Sequence, residues 1–264
     1  MIIRLVVLIS SVLIVNAADP ELKGGIESSW GTFASACFIR TPDRSFCGAA
    51  VIHPEVVLTL AQCVFDEQNS SVVDPRQVEI IAGDMNIAEK SLERQQRDVL
   101  QVIVHENYTV HNHRNDLALL RVEQAFQLPS NTLQIAERRR RIVPIGAVCL
   151  LPGWSMERSA TATSTESNQK YLEVEILDRD TCNQPNMHVG LIREDMICGG
   201  NLLRSMNAPC SGNLGSPLFC DSELTGMLSF GVNCGAANDP PVFMQVRFFN
   251  RWIEEQLRGM GLSE

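Results

Sequence analysis

The sequence predicts an all-β protein closed by one C-terminal α-helix, and three observations predict it. Short β-rich runs recur with turn residues between them, one of these runs alternates strictly, and a terminal segment switches to helical spacing. The first series of strands falls at 50–53, 56–61, 78–82, 99–105 and 117–122, with turn formers such as Pro54, Gly83 and Asn115 between them. Such spacing belongs to a sandwich or a barrel. The second series opens at 171–177, where Leu172, Val174 and Ile176 alternate with Glu173 and Glu175, the pattern of a half-buried strand. It continues at 218–220, 227–230 and 242–246. Between the two series, 157–170 is rich in Ser and Thr and has no apolar periodicity, so it reads as a mobile surface loop rather than a domain linker. At the end, 248–257 places Phe249, Trp252, Ile253 and Leu257 on one helical face and Glu254 and Glu255 on another.

With 264 residues, 45% of them hydrophobic and 20% charged, the chain can bury a core as one large domain or two small ones. Its formal charge of −9 argues against nucleic acid or anionic membrane as a general partner, so any polyanion site must be local. Arg4 precedes an apolar run, 5–15, and Val15-Asn16-Ala17 follows as a cleavage site, so 1–17 reads as a signal peptide. The expected product is secreted and extracellular, with a short N-terminal segment at 18–23, a folded domain at 24–260 and no membrane span. Asn69-Ser70-Ser71 and Asn107-Tyr108-Thr109 match the glycosylation acceptor pattern, which fits that compartment. Nine cysteines suit a secreted domain that adds several bridges to its own core and leaves one thiol over.

Three segments then carry a resemblance. Cys47-Gly48-Ala49-Ala50-Val51-Ile52 through Leu60-Ala61-Gln62-Cys63, then Asn115-Asp116-Leu117-Ala118-Leu119-Leu120, then Cys210-Ser211-Gly212-Asn213-Leu214-Gly215-Ser216-Pro217-Leu218 are similar, in order and spacing, to the signatures of trypsin-like serine proteases. Cys149 through Gly153-Trp154, Ser229-Phe230-Gly231 and the closing helix extend the similarity over nearly all of the chain from Gly24 onward. The resemblance implies two antiparallel six-stranded β-barrels with the catalytic groups in the cleft between them. Eight cysteines allow roughly a hundred pairings. The resemblance implies Cys47 with Cys63, Cys149 with Cys220, Cys182 with Cys198 and Cys210 with Cys234, and Cys37 remains as a buried free thiol.

The sequence departs from the family pattern at the positions that perform the chemistry. Peptide hydrolysis on this scaffold needs a hydroxyl that attacks, an imidazole that takes its proton and a carboxylate that orients the imidazole. By the resemblance, Gln62 stands in the imidazole position and Leu214 in the hydroxyl position, and only Asp116 remains. A primary amide does not accept and return a proton near neutral pH. In a comparable protease, losing either group alone lowers turnover by about 10⁶. Asp116 is therefore expected to join Gln62 and Ser229 in a structural hydrogen-bond cluster. Gly212 keeps the position of an oxyanion-hole donor. Ala208 stands where the resemblance expects an acid that recognises Arg or Lys, and Pro241 replaces a small wall residue opposite Gly231, which implies a groove narrowed or filled by apolar atoms. The switch by which relatives are activated is absent as well, since Glu21 occupies the expected cut position and Asn213 replaces the acid that would pair with a new terminus.

None of the histidines at 53, 105, 111, 113 and 188 occupies the base position. His111-Asn112-His113 has metal-compatible spacing, yet two ligands in a loop fall short of a site, so it reads as a solvated loop; no metal or cofactor is expected. Arg138-Arg139-Arg140-Arg141 reads first as a solvated face, with a polyanion patch for a sulfated glycan or a furin-like processing site as its functional alternatives. The expected function is that of a secreted, inactive protease homologue. It resembles the non-catalytic relatives of arthropod clip-domain proteases without the clip, and it would bind an extracellular protein such as an active serine protease or its zymogen. An endopeptidase with residual activity and a glycan-binding protein are the alternatives.

Overall fold

A computed structural model describes residues 22–23, 25–42, 46–87, 90–154, 168–200, 208–232 and 239–263. The expected signal peptide, its cut site, Glu21, Gly24, Cys234 and residues 157–167 of the expected loop lie outside that set. The strands are β1 (Leu22–Lys23), β2 (Ile26–Glu27), β3 (Ala36–Arg40), β4 (Cys47–His53), β5 (Val56–Thr59), β6 (Phe65–Asp66), β7 (Ser71–Val72), β8 (Glu79–Ala82), β9 (Gln95–Val104), β10 (Ala118–Val122), β11 (Val148–Trp154), β12 (Gln169–Glu175), β13 (Met196–Cys198), β14 (Ala208–Pro209), β15 (Pro217–Cys220), β16 (Glu223–Phe230) and β17 (Val242–Gln245). Two α-helices accompany them, α1 (Arg179–Cys182) and α2 (Val246–Gly259).

The first half is a closed antiparallel barrel in the order β10-β5-β4-β3-β8-β9. Most of its strands are apolar runs, with β9 the polar exception, and Val51, Val57, Leu58, Ile80, Leu119 and Leu120 are fully buried on one face or the other. In the second half the described strands form a seven-stranded sheet, ordered β13-β17-β16-β15-β11-β12-β2, with no continuous closing ladder among the described residues, so the expected second barrel is seen only as this sheet. β2 pairs with β12 at Lys170 and Tyr171, so only the far end of β12 is left to meet the three-residue β13. They touch there at one bridge, Ile176 with Gly199, supported by Leu177 N–H to the Cys198 carbonyl at 3.0 Å and Gly200 N–H to the Glu175 carbonyl at 2.9 Å.

Within β12 the expected alternation holds, with Leu172 and Val174 buried and Glu173 and Glu175 exposed. The strand begins at Gln169, so the last two residues of the expected loop are paired instead, with Gly153, Trp154 and Glu27. α2 buries Val246, Phe249, Trp252, Ile253 and Leu257. Its Trp252 Nε1 donates to Glu106 at 2.9 Å, and the buried His105 ring packs against Phe249 and Trp252. One apolar cluster runs through both halves, joining Phe38, Leu58 and Leu119 to Trp154, Met227 and Phe249.

Disulfides join Cys47 to Cys63, Cys149 to Cys220 and Cys182 to Cys198, with Cα separations of 6.2, 4.4 and 6.7 Å. Cys210 is disulfide-bonded too. Cys37, in β3, is free and buried, and burial holds its thiol far above the ordinary range.

Candidate functional site

Gln62 sits in a single 3-10 turn, Ala61–Cys63, directly after β5, and the bridge at Cys63 fixes that turn to β4. Asp116 precedes β10 at the end of a loop whose direction is set by His113 and Asn115, both left-handed with φ of 50° and 52°. Ser229 lies in β16, on the opposite half. The three side chains meet. Gln62 N–H donates to Asp116 Oδ1 at 2.9 Å, Gln62 Nε2 donates to Asp116 Oδ2 at 2.5 Å, and Ser229 Oγ–H donates to Asp116 Oδ2 at 2.6 Å. Gln62 Nε2 also reaches the Ser229 carbonyl at 2.9 Å. Asp116 is fully buried and Ser229 nearly so, which pushes the Asp116 carboxyl above the usual range; the Ser229 and Gln62 donors and nearby His113 pull it part of the way back. Chemically, the cluster satisfies a buried acid and crosses between the two halves.

The second segment of the site is a tight turn. Ser211–Asn213 form a 3-10 turn that contains Gly212, and Leu214 follows it with only 7% exposure. The Leu214 carbonyl accepts from Gly48 N–H at 2.7 Å, which ties this turn to the first barrel. Gly215 has φ of +80°, and a Cβ there would overlap the Gly48 carbonyl oxygen. Ser216 is wholly buried and its hydroxyl has no hydrogen-bond partner among the described residues, so none of them is placed as a base to activate it.

Of the expected pocket residues, Ala208, Ser229 and Pro241 are buried and Gly231 is partly exposed. Ala208 is buried and pairs in β14 with Lys23 of β1. Pro240 and Pro241 are buried against Gly231, whose φ is +75° and where a Cβ would lie 2.9 Å from Pro241 Cα. Leu214, Ala208 and Pro241 are each apolar and buried.

The structure corrects two expectations. His113 does not lie in solvent: its ring stacks on Phe230 with centroids 5.1 Å apart, and its Nδ1 is buried. His188 meets the same ring edge-on at 5.4 Å and shares a hydrogen bond of 2.7 Å with the Pro240 carbonyl. Sequence reasoning missed this aromatic wall because its members are far apart along the chain. Among the described residues, no cluster of three or more His, Cys, Asp or Glu side chains could hold a metal ion.

The arginine run is not one solvated face either. Arg139 is buried and donates to the Cys220 carbonyl at 3.2 Å, Asp221 at 3.1 Å and Glu223 at 3.0 Å. Arg138 donates to Asn250 and Arg140 pairs with Glu254, each at 3.0 Å, while Arg141 is exposed. Arg138, Arg140 and Arg141 line one groove of about 810 Å³ together with Ile52, Pro54 and Glu223. Asn69 and Asn107 are both exposed.

A family model described as Trypsin matches residues 24–253. Trypsin-1 of Salmo salar is 28% identical over 246 residues, which cover 92% of this chain and 95% of that protein. Trypsin-2 of Salmo salar is 29% identical over 208 residues, 79% of this chain and 83% of that protein. Transmembrane protease serine 11G of Rattus norvegicus is 28% identical over 250 residues, 92% of this chain but only 56% of that protein. No described helix of this chain is long and apolar enough to cross a membrane.

Proposed function

The chain belongs to the trypsin family, and from that premise we propose that it is a secreted homologue without catalytic activity that works by binding another extracellular protein. Its role is that of a cofactor or modulator in an extracellular protease cascade of immune or reproductive type, with an active serine protease or its zymogen as partner. One observation carries the reading: where the resemblance expects an imidazole, the Gln62 amide donates into Asp116 at 2.5 Å. An imidazole there would donate to the acid through one ring nitrogen and keep the other as a base, whereas the amide makes the same donation and has no group basic enough to take a proton near neutral pH. Leu214, in the position of the nucleophile, carries no attacking atom. Secretion is supported by the apolar segment after Arg4 and by the disulfides. The likeness to clip-type homologues without their clip points to the cascade.

The test uses protein purified from the medium of a secreting host. Neither labelling by a serine-directed fluorophosphonate nor cleavage of a peptide library is expected above a heat-killed control. Labelling with turnover would establish an endopeptidase of unusual residual activity instead. A second reading, binding of a sulfated glycan, is favoured by the three arginines that share one groove. Glu223 on the same groove and Glu254 beside Arg140 weaken its field. Heparin retention that persists after Arg138, Arg140 and Arg141 are changed to Ser would remove it.

A further inference from the structure

We propose that the two glycosylation acceptors carry a paired carbohydrate screen on one shoulder of the site, leaving macromolecules to approach Gln62, Asp116 and Ser229 from the side of the second half. The inference rests on the secretion part of the proposed function. Each acceptor is rooted in a segment that carries a site residue. The turn that holds Gln62 runs directly into the β6–β7 hairpin, and Asn69 is on its connecting turn. Asn107 lies in the loop that ends at Asp116, between His105, which packs on α2, and His113, which packs on Phe230.

The two loops are neighbours in space. Phe65 at the base of the hairpin meets Tyr108, the residue after Asn107, edge-on with centroids 5.7 Å apart. Both attachment points are held by local hydrogen bonds. Asp66 accepts from Gln68 N–H at 2.9 Å and Asn69 N–H at 3.2 Å, and Asn115 Nδ2 donates to the Asn107 carbonyl at 2.9 Å. A glycan on either loop would be bulky and solvated beside its neighbour. The second half is different. His188 meets, edge-on, the same Phe230 ring on which His113 stacks, and the loop that follows it exposes Val189 by 64% and Leu191 by 48%. That loop carries no acceptor pattern, so its apolar side chains stay open to a partner.

The modification balances without redox change. The Asn Nδ2 attacks the anomeric carbon of a lipid-pyrophosphate-linked oligosaccharide, an N–C bond forms, the C–O bond to pyrophosphate breaks, the amide loses one proton and the lipid pyrophosphate leaves.

The test expresses the full chain in a secreting eukaryotic host as wild type, N69Q, N107Q and the double variant. Intact mass before and after peptide-N-glycosidase F is expected to show two sensitive glycans in wild type, one in each single variant and none in the double. Added active trypsin then probes the screen at the exposed Arg114, with the exposed Arg193 of the second half as control. Cleavage after Arg114 is expected to be at least tenfold slower in the glycosylated wild type than in the double variant, with cleavage after Arg193 unchanged. A chain in the medium with both asparagines unmodified overturns the acceptors. Two glycans with equal attack at Arg114 in both forms, whether fast or absent, overturn the screen. A chain retained in the cell with residues 1–17 attached overturns the secretion reading beneath both.

Discussion

Three donors converge on Asp116, two from Gln62 and one from Ser229, and they decide how the buried carboxylate is tolerated. Gln62→Leu removes one donor without opening a cavity, and it is expected to cost about 1–3 kcal/mol; a lower urea midpoint at unchanged slope would register it. The pH dependence has a definite sign. Burial raises the Asp116 carboxyl, so the folded chain holds this proton more tightly than the unfolded chain does. Its contribution is therefore full below the ordinary carboxylate value and lost as pH rises through the raised one. The stability of wild type relative to Asp116→Asn is expected to grow as pH is lowered from 7 toward 4, measured by urea unfolding. The meeting of Gln62, Asp116 and Ser229 was legible in the sequence because each lies in a segment whose family resemblance fixes its place. The burial of Arg139 was not, since its partners Asp221 and Glu223 are distant in sequence and no local pattern announces them.

At the scale of elements, the contact between β4 and the turn at 211–216 is too close for any side chain. Gly215→Ala combines a left-handed backbone with overlap of the Gly48 carbonyl, and it is expected to prevent accumulation of folded protein. Gly190 provides the contrast. Its φ of +75° is left-handed too, yet nothing lies within 4 Å of a Cβ there, so Gly190→Ala is expected to cost only about 1–2 kcal/mol by thermal unfolding. Periodicity revealed β12 and α2, whose buried and exposed residues fall where alternation and helical spacing put them. It did not reveal β3 as a strand, because Ala36–Arg40 is an unbroken apolar run until its last residue and has no alternation to read. Nor did it show that Gln169 and Lys170 leave the expected loop, since Trp154, Gly153 and Glu27 recruit them across long stretches of chain. The order of the second sheet was equally hidden, since the pairing of β2 with Lys170 and Tyr171 and the meeting of Ile176 with Gly199 join residues far apart in the chain.

The whole molecule is expected to unfold as a unit. A continuous apolar cluster and the Asp116 hydrogen bonds cross between the halves, so neither half exposes a finished surface when the other melts. Far- and near-ultraviolet circular dichroism should trace coincident urea transitions, and labelling of Cys37 by a thiol reagent should rise only along the same curve; two separated transitions would refute this coupling. α2 has a temporal implication too. The ribosome makes this helix after every strand, yet its Trp252 and Phe249 brace the loop beside His105 and Glu106 in the half made first. A nascent barrel must therefore wait, with that corner unfastened, for the closing stretch of its own synthesis.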